Sequence, residues 1–257
     1  MTGDTVSRIR ETRVAAGSLA IFWLGQAGFL FKTPEGKVLC LDPYLTDSVE
    51  RLAGFRRIMA SVMAPEDLRA DVMLITHHHE DHLDVDALPV ISRRTAARFV
   101  APAESVKRLR DLGVPRERIT EVRPGSTTDL GCAQVRTVFA DHGTLAPDAV
   151  GFVLDFGFVR VYITGDTAYR PESMTEAIQL RPQIIIPVIN GAYGNLGSED
   201  AAALSRDTGA RVAIPCHFWT FIEHGGDPAG FLKACREIAP SARVELITQG
   251  TSFTYTS

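Results

Sequence analysis

Four of the chain's seven histidines fall within six residues, His77, His78, His79 and His82, interleaved with Glu80 and Asp81. Side chains alternate along an extended segment, so His77 and His79 point the same way and can hold one cation between them. Asp81 and His82 follow once the chain turns toward a helix, and can face a second cation. Imidazole with carboxylate suits zinc, manganese or iron, whereas magnesium or calcium would call for oxygen ligands alone. Histidine-rich tracts also occur as solvated surface or adventitious metal binders. Here the tract follows Val72 to Thr76, a short β-branched apolar run that reads as a buried strand. In α/β folds, ligands bind where such strands leave the sheet.

The elements that must position these residues alternate along the whole chain. Ser18 to Leu24, Gly28 to Lys32 and Lys37 to Asp42 read as strands, with Thr33-Pro34-Glu35-Gly36 as a hairpin turn. Between Pro43 and Ala70, Val49, Leu52, Phe55, Ile58, Met59, Val62 and Met63 recur at helical spacing and predict an amphipathic helix. Leu88 to Ile91 and Ala103 to Leu112 read as helices flanking the strand Arg98 to Ala101, the second helix ending at Gly113. Strands follow at Ile119 to Val122, Ala133 to Phe139, Val150 to Asp155 and Phe158 to Ile163, then a helix over Tyr169 to Leu180 and an apolar strand over Ile184 to Ile189. The glycine-rich loop 190–197 opens onto a helix from Ser198, read as its N-cap, to Asp207. Val212 to Ile214, the helix Pro228 to Ile238, and the strands Val244 to Ile247 and Ser252 to Tyr255 complete the series. Strands interleaved with helices on both sides of the histidine tract imply two sheets face to face with helices outside. No fixed-period repeat is found.

The pattern His77-x-His79-x-Asp81-His82 resembles the signature of the metallo-β-lactamase superfamily. That resemblance calls for a histidine after a later strand, an aspartate in a Gly-Asp pair and a histidine near the C-terminus. In order, the sequence offers Asp141-His142-Gly143, Gly165-Asp166 and Pro215-Cys216-His217. The resemblance implies an α/β, four-layer αββα sandwich in one domain spanning residues 1–257. It assigns one metal to His77, His79 and His142 and another to Asp81, His82 and His217, with Asp166 bridging. Asp42 would support the ligands from behind, as carboxylates that orient histidine rings do; an Asp-Pro turn is the alternative.

A binuclear centre of this kind lowers the pKa of a bound water toward ~7, so a metal-bound hydroxide would attack a carbonyl or phosphoryl centre. The expected catalytic residues are Asp81, Asp166 and His217, and the cofactors two divalent ions, manganese or zinc, with iron as a further option. Flavodiiron oxidoreductases of the superfamily carry glutamate where His79 stands, and several zinc β-lactamases a cysteine ligand that this chain lacks at its matching motif positions.

Segments outside the metal signature narrow the resemblance. The turn 113–118, Arg123-Pro124-Gly125, Tyr193-Gly194-Asn195 and Gln249-Gly250-Thr251 are similar to the metal-dependent hydrolases grouped around L-ascorbate-6-phosphate lactonase. The implied reaction is opening a lactone of a small acidic or phosphorylated sugar derivative. A phosphodiesterase or nuclease of the same fold, and a catalytically silent metal-binding protein, are the competing readings. Gln26, Asn190, Tyr193, Asn195, Trp219 and His224 lie near predicted strand ends on the ligand edge and are the candidate substrate contacts. Arg51, Arg56 and Arg57 read as a solvated face, with reach to an anionic substrate as the alternative, and Arg170 as an exposed helix-start residue that could instead pair with a substrate phosphate.

Composition bounds the partners. A net charge of −4 gives no whole-chain case for nucleic-acid binding, so a small-molecule substrate is expected, with a homo-oligomer possible. The cysteines Cys40, Cys132, Cys216 and Cys235 show no disulfide-framework spacing, which fits a reducing compartment. The apolar run Leu19 to Phe31 is interrupted by Gly25, Gln26 and Gly28, and reads as strands rather than a signal peptide or membrane span. A cytoplasmic location with no membrane association is the corresponding expectation.

Overall fold

The computed structural model describes residues 2–257. It divides into two compact units, Met1–Val122 with Ile247–Ser257, and Arg123–Leu246.

The first unit opens with helix α1 (Thr2–Glu11), whose Val6 and Ile9 pack on the core. Strands β1 (Ser18–Gly25), β2 (Gly28–Lys32) and β3 (Val38–Leu41) follow as an antiparallel meander. The predicted turn after β2 closes through Gly36 N–H donating to the Thr33 carbonyl at 3.0 Å. Helix α2 (Ser48–Ala53) leads to β4 (Val72–Leu74), then α3 (Ala87–Arg94), β5 (Arg98–Ala101), α4 (Ala103–Asp111) and β6 (Ile119–Glu121). Strands β3 to β6 pair in parallel, as strands joined by helical crossovers can. All eight residues of β1 are buried, which explains its unbroken apolar sequence. Ala20, Phe22, Leu24, Leu30, Met73 and Phe99 form one core with Leu88 and Ile91 of α3 and Val106 and Leu109 of α4.

In the second unit β7 (Thr127–Asp129), β8 (Gln134–Phe139), β9 (Val150–Asp155) and β10 (Arg160–Ile163) form the antiparallel part. After α5 (Thr175–Gln179), strands β11 (Ile184–Ile186), β12 (Val212–Ala213) and β13 (Arg243–Val244) add in parallel, with α6 (Ser198–Thr208) and α7 (Pro228–Ile238) as crossovers. Gly151 is where β9 closely approaches its neighbour: a Cβ there would lie 2.9 Å from the carbonyl oxygens of Ile163 and Thr164. The chain then returns to the first unit as β14 (Ser252–Thr256), antiparallel to β1.

No sequence period announces it, but the two sheets share one plan. Each has three antiparallel pairings followed by three parallel ones. The strand at the change is β3 in one sheet, followed by Asp42, and β10 in the other, followed shortly by Asp166. Thus two acids expected at the centre occupy equivalent topological positions.

Three local expectations are corrected. The long helix read from residues 49–63 is only α2: Gly54 ends it with φ 79°, and irregular chain continues to the 3-10 turn Pro65–Asp67. The helix expected over Tyr169 to Leu180 is confined to Thr175–Gln179. The N-cap of α6 is Gly197, and the Ser198 hydroxyl donates instead to the Asp227 carbonyl at 3.0 Å. No helix among the described residues is long and apolar enough to cross a membrane.

Candidate metal centre

The histidine tract begins immediately after β4, and a buried aspartate organises its start. Asp42, fully buried with φ 38°, accepts from the Thr76 N–H at 2.8 Å and the Thr76 hydroxyl at 2.6 Å. Its Oδ2 also stands 2.8 Å from His82 Nδ1. An ionised carboxylate only accepts, so this contact places the proton of His82 on Nδ1 and leaves Nε2 as the ring's lone-pair nitrogen. Burial raises the Asp42 carboxyl, while the His82 and Thr76 hydrogen bonds pull it down.

His77 Nε2 and His79 Nδ1 lie 3.0 Å apart with their rings at 81°. Nitrogens held about 2.0–2.1 Å from one tetrahedral ion would be separated by roughly 3.3 Å, so the pair has close to the bite of a chelate. The His77 and His82 rings are 4.1 Å apart, with ligand nitrogens within 4.8 Å. Asp81 receives Gln26 Nε2 on Oδ2 at 2.7 Å, and the same oxygen lies 3.6 Å from His82 Nε2. Gln26, expected among the substrate contacts, is thus fully buried with its amide engaged on a carboxylate.

The turn carrying these side chains is fixed from two sides. Arg108 of α4 donates to Glu80 at 2.6 Å and to the His78 carbonyl at 3.1 Å. Asp84, fully buried, accepts from the N–H groups of Leu45, Thr46, Asp86 and Ala87 and from the Thr46 hydroxyl. Neither residue was singled out from the sequence. An aspartate three residues before the first residue of α3 is a capping signal that could have found Asp84.

The second unit carries His142, Asp166 and His217, all buried. Asp166 follows β10 and presents its two oxygens to different histidines: Oδ2 stands 3.8 Å from His142 Nε2, and Oδ1 stands 3.4 Å from His217 Nε2. Asn195 Nδ2 donates to Oδ2 at 2.7 Å and fixes that orientation. The loop bearing His142 is laced to the Asp166 loop by Asp141 N–H to the Thr167 hydroxyl and Ala168 N–H to the Asp141 carbonyl, both 2.8 Å. Arg170 adds a 3.1 Å contact to Asp141.

His217 has φ 62°, a left-handed conformation that costs a non-glycine residue energy and clusters at functional sites. His224 stacks on it with centroids 5.0 Å apart and planes at 1°, their ligand nitrogens within 4.8 Å. Tyr193 meets His224 edge-on at 5.3 Å. Tyr193 and Trp219 also have positive φ and are 47% and 55% exposed. Asn190 and Asn195 are buried at the base of the 190–197 loop. Cys216, buried, points its thiol at the Pro187 carbonyl, as a small apolar residue can.

The donor set fits divalent transition-metal ions. Imidazole nitrogens converge in pairs, one ring has its tautomer set by a carboxylate, and the carboxylates are oriented by amides. Two of the arginines read as a solvated face have structural partners instead. Arg57 lies 4.7 Å over the Tyr44 ring and donates to the Thr46 and Met59 carbonyls, and Arg51 pairs with Asp86.

Comparison with known proteins agrees with this chemistry. Residues 40–218, which include every expected ligand, match the beta-lactamase superfamily domain. The chain is 31% identical over 242 residues to a UPF0173 metal-dependent hydrolase of Cupriavidus taiwanensis, covering 86% of this chain and 81% of that one. It is also 31% identical over 219 residues to one from Thermoplasma acidophilum, covering 83% and 89%. Among solved structures, Igni18, a metallo hydrolase from Ignicoccus hospitalis, superposes with a TM-score of 0.78 at 24% identity, covering 93% of this chain and 99% of that one.

The fold is therefore the metallo-β-lactamase fold, α/β with two mixed sheets and helices, as the sandwich expectation has it. The chain belongs to the UPF0173 metal-dependent hydrolase family of that superfamily. It is a metal-dependent hydrolase whose histidine and aspartate clusters can bind metal ions.

Proposed function

We propose that the chain acts as a single hydrolase domain that opens a lactone of a small, acidic or phosphorylated sugar derivative. His77, His79 and His142 would hold one divalent cation and Asp81, His82 and His217 the other, with Asp166 available to both. The observation that carries the dinuclear reading is the Asp166 carboxylate, whose two oxygens face two different histidines. When bound, manganese or zinc would lower the pKa of a water and polarise the substrate's carbonyl oxygen, making the carbonyl carbon more electrophilic.

The protein's own residues do the rest. Asp81, held by Gln26, would orient the attacking group. Asp42 keeps His82 in one tautomer, and Asn195 keeps Asp166 turned between its histidines. Tyr193, Trp219 and His224 form the substrate wall. The lactone is supported by the segments outside the metal signature that resemble the lactonase group. The acidic net charge supports a small-molecule substrate over a nucleic acid.

The test is to strip the protein, reload it separately with manganese and zinc, and screen sugar lactones, phosphodiesters and β-lactams. Lactone hydrolysis that disappears in Asp166→Asn supports the reading. Selective phosphodiester cleavage, or metal binding without turnover, refutes it.

A further inference from the structure

Two buried carboxamides in the second unit have only one of their two polar atoms engaged. Asn195, 7% exposed, donates Nδ2 to the Asp166 carboxylate. Asn190, also 7% exposed, donates Nδ2 to the Ala192 carbonyl at 3.3 Å. In both cases the partner can only accept, so the amide cannot be flipped and the oxygen is fixed as the remaining atom. Neither Oδ1 has a hydrogen-bond partner among the described residues. A buried acceptor left in that state is costly, and two on one eight-residue loop call for a donor from outside the chain.

The same loop and its neighbour supply aromatic surface. Tyr193 lies between the two asparagines in sequence, and Trp219 is on the 217–226 loop. The loops pack together: a Cβ on Gly225 would lie 3.7 Å from the Asn190 carbonyl oxygen, and Tyr193 meets His224 edge-on. Both aromatic residues are held at positive φ with about half of their surface exposed. An exposed indole at a strained backbone position is costly as mere surface and useful as a platform.

We propose that Asn190, Asn195, Tyr193 and Trp219 form a subsite for a neutral polyhydroxylated group. Substrate hydroxyls donate to the two carboxamide oxygens while a C–H face of the ring lies against the aromatic surfaces. Carbonyl oxygens repel an anion, so any phosphate or carboxylate on the substrate lies away from this wall. The inference deepens the lactonase reading by stating which part of the molecule is recognised here: its hydroxyls.

The experiment is titration calorimetry on the metal-loaded, full-length protein with three probes: D-gluconate, hexanoate and 6-phospho-D-gluconate. The first two share a carboxylate and differ in hydroxyls, and the third adds a phosphate. Gluconate should bind about tenfold or more tightly than hexanoate, and the phosphate should add less than tenfold. Asn190→Leu should abolish the gluconate preference, and Trp219→Ala should weaken gluconate binding, each with its thermal midpoint recorded as a check on folding. Trp23 is buried and Trp219 exposed, so a gluconate-induced emission change that vanishes in Trp219→Phe gives a second readout. Equal binding of gluconate and hexanoate, no gluconate binding at millimolar concentration, a preference that survives Asn190→Leu, or a dominant phosphate contribution would overturn the inference. Separately, D-glucono-1,5-lactone hydrolysis is assayed on the same preparation. A gluconate preference without lactone turnover sinks the lactonase reading and leaves the subsite, whereas turnover without the preference does the reverse.

Discussion

Asp42 Oδ2 and His82 Nδ1 are 2.8 Å apart in a fully buried pair, and the same carboxylate holds the main chain at Thr76. One side chain thus sets both the tautomer of a proposed ligand and the exit direction of the strand that bears the others. Asp42→Ala should lower the affinity for the cation at His82 by about 10–100-fold. It should also destabilise the fold by about 1–3 kcal/mol, because the Thr76 N–H loses its acceptor. Competition with a chromogenic chelator reads the first effect and urea unfolding the second. Unchanged metal affinity would remove Asp42 from its positioning role.

Asp84 offers a contrasting case, stability without metal contact. It takes five hydrogen bonds that join residues 45–46 to the start of α3. Asp84→Ala leaves buried donors unpaired and should cost about 3–5 kcal/mol, read as a lowered denaturant midpoint. Asp84→Asn, which keeps one acceptor, should cost less.

Gly226 holds the His217 loop closed. With φ 93°, a Cβ there would meet Phe218 Cβ at 2.4 Å and Phe218 Cα at 2.9 Å. Gly226→Ala should destabilise by about 2 kcal/mol or more and displace His217, lowering activity more than the stability loss alone would. An alanine variant with wild-type midpoint and turnover would show that the loop yields freely.

These sites show what was legible in the sequence and what was not. Strand runs such as Gly28–Lys32, Arg98–Ala101 and Val150–Asp155, and the helix Pro228–Ile238, have the bounds that the apolar pattern and turn residues predict, because there local preference and packing agree. Residues 49–63 kept helical spacing but formed only α2, since Gly54 supplies a left-handed stop and Arg57 ties the following loop to Thr46 and Met59. Helix α1, with Val6 and Ile9 as its core-facing apolar residues, and strand β7, with none, are too polar to stand out from their surroundings. The histidine tract was visible because its chemistry is local. Its supports were legible only in part: the family resemblance put Asp42 behind the ligands, but Gln26 on Asp81 and Asn195 on Asp166 are separated in sequence by 55 and 29 residues, and only tertiary structure pairs them.

Alkaline pH should weaken the fold through groups buried in their neutral form. Burial pushes the Cys40 thiol well up and the Cys235 thiol to about 11. Their folded pKa values exceed the unfolded one of about 8.5, so their stabilisation is full below that pH and is lost as pH rises through the folded values. The thermal midpoint should therefore fall between pH 8.5 and 10, and fall less steeply in Cys235→Ala than in the parent chain. A midpoint flat across that range would contradict the assignment.

Whether two cations share Asp166 is decided by metal analysis of the reconstituted protein. After removal of all metal, reloading with manganese or zinc and desalting, elemental analysis should find two ions per chain. Asp166→Ala should retain at most one and lose hydrolytic activity. A single ion per chain in the parent protein, or two retained in Asp166→Ala, would rule out a pair of ions sharing Asp166.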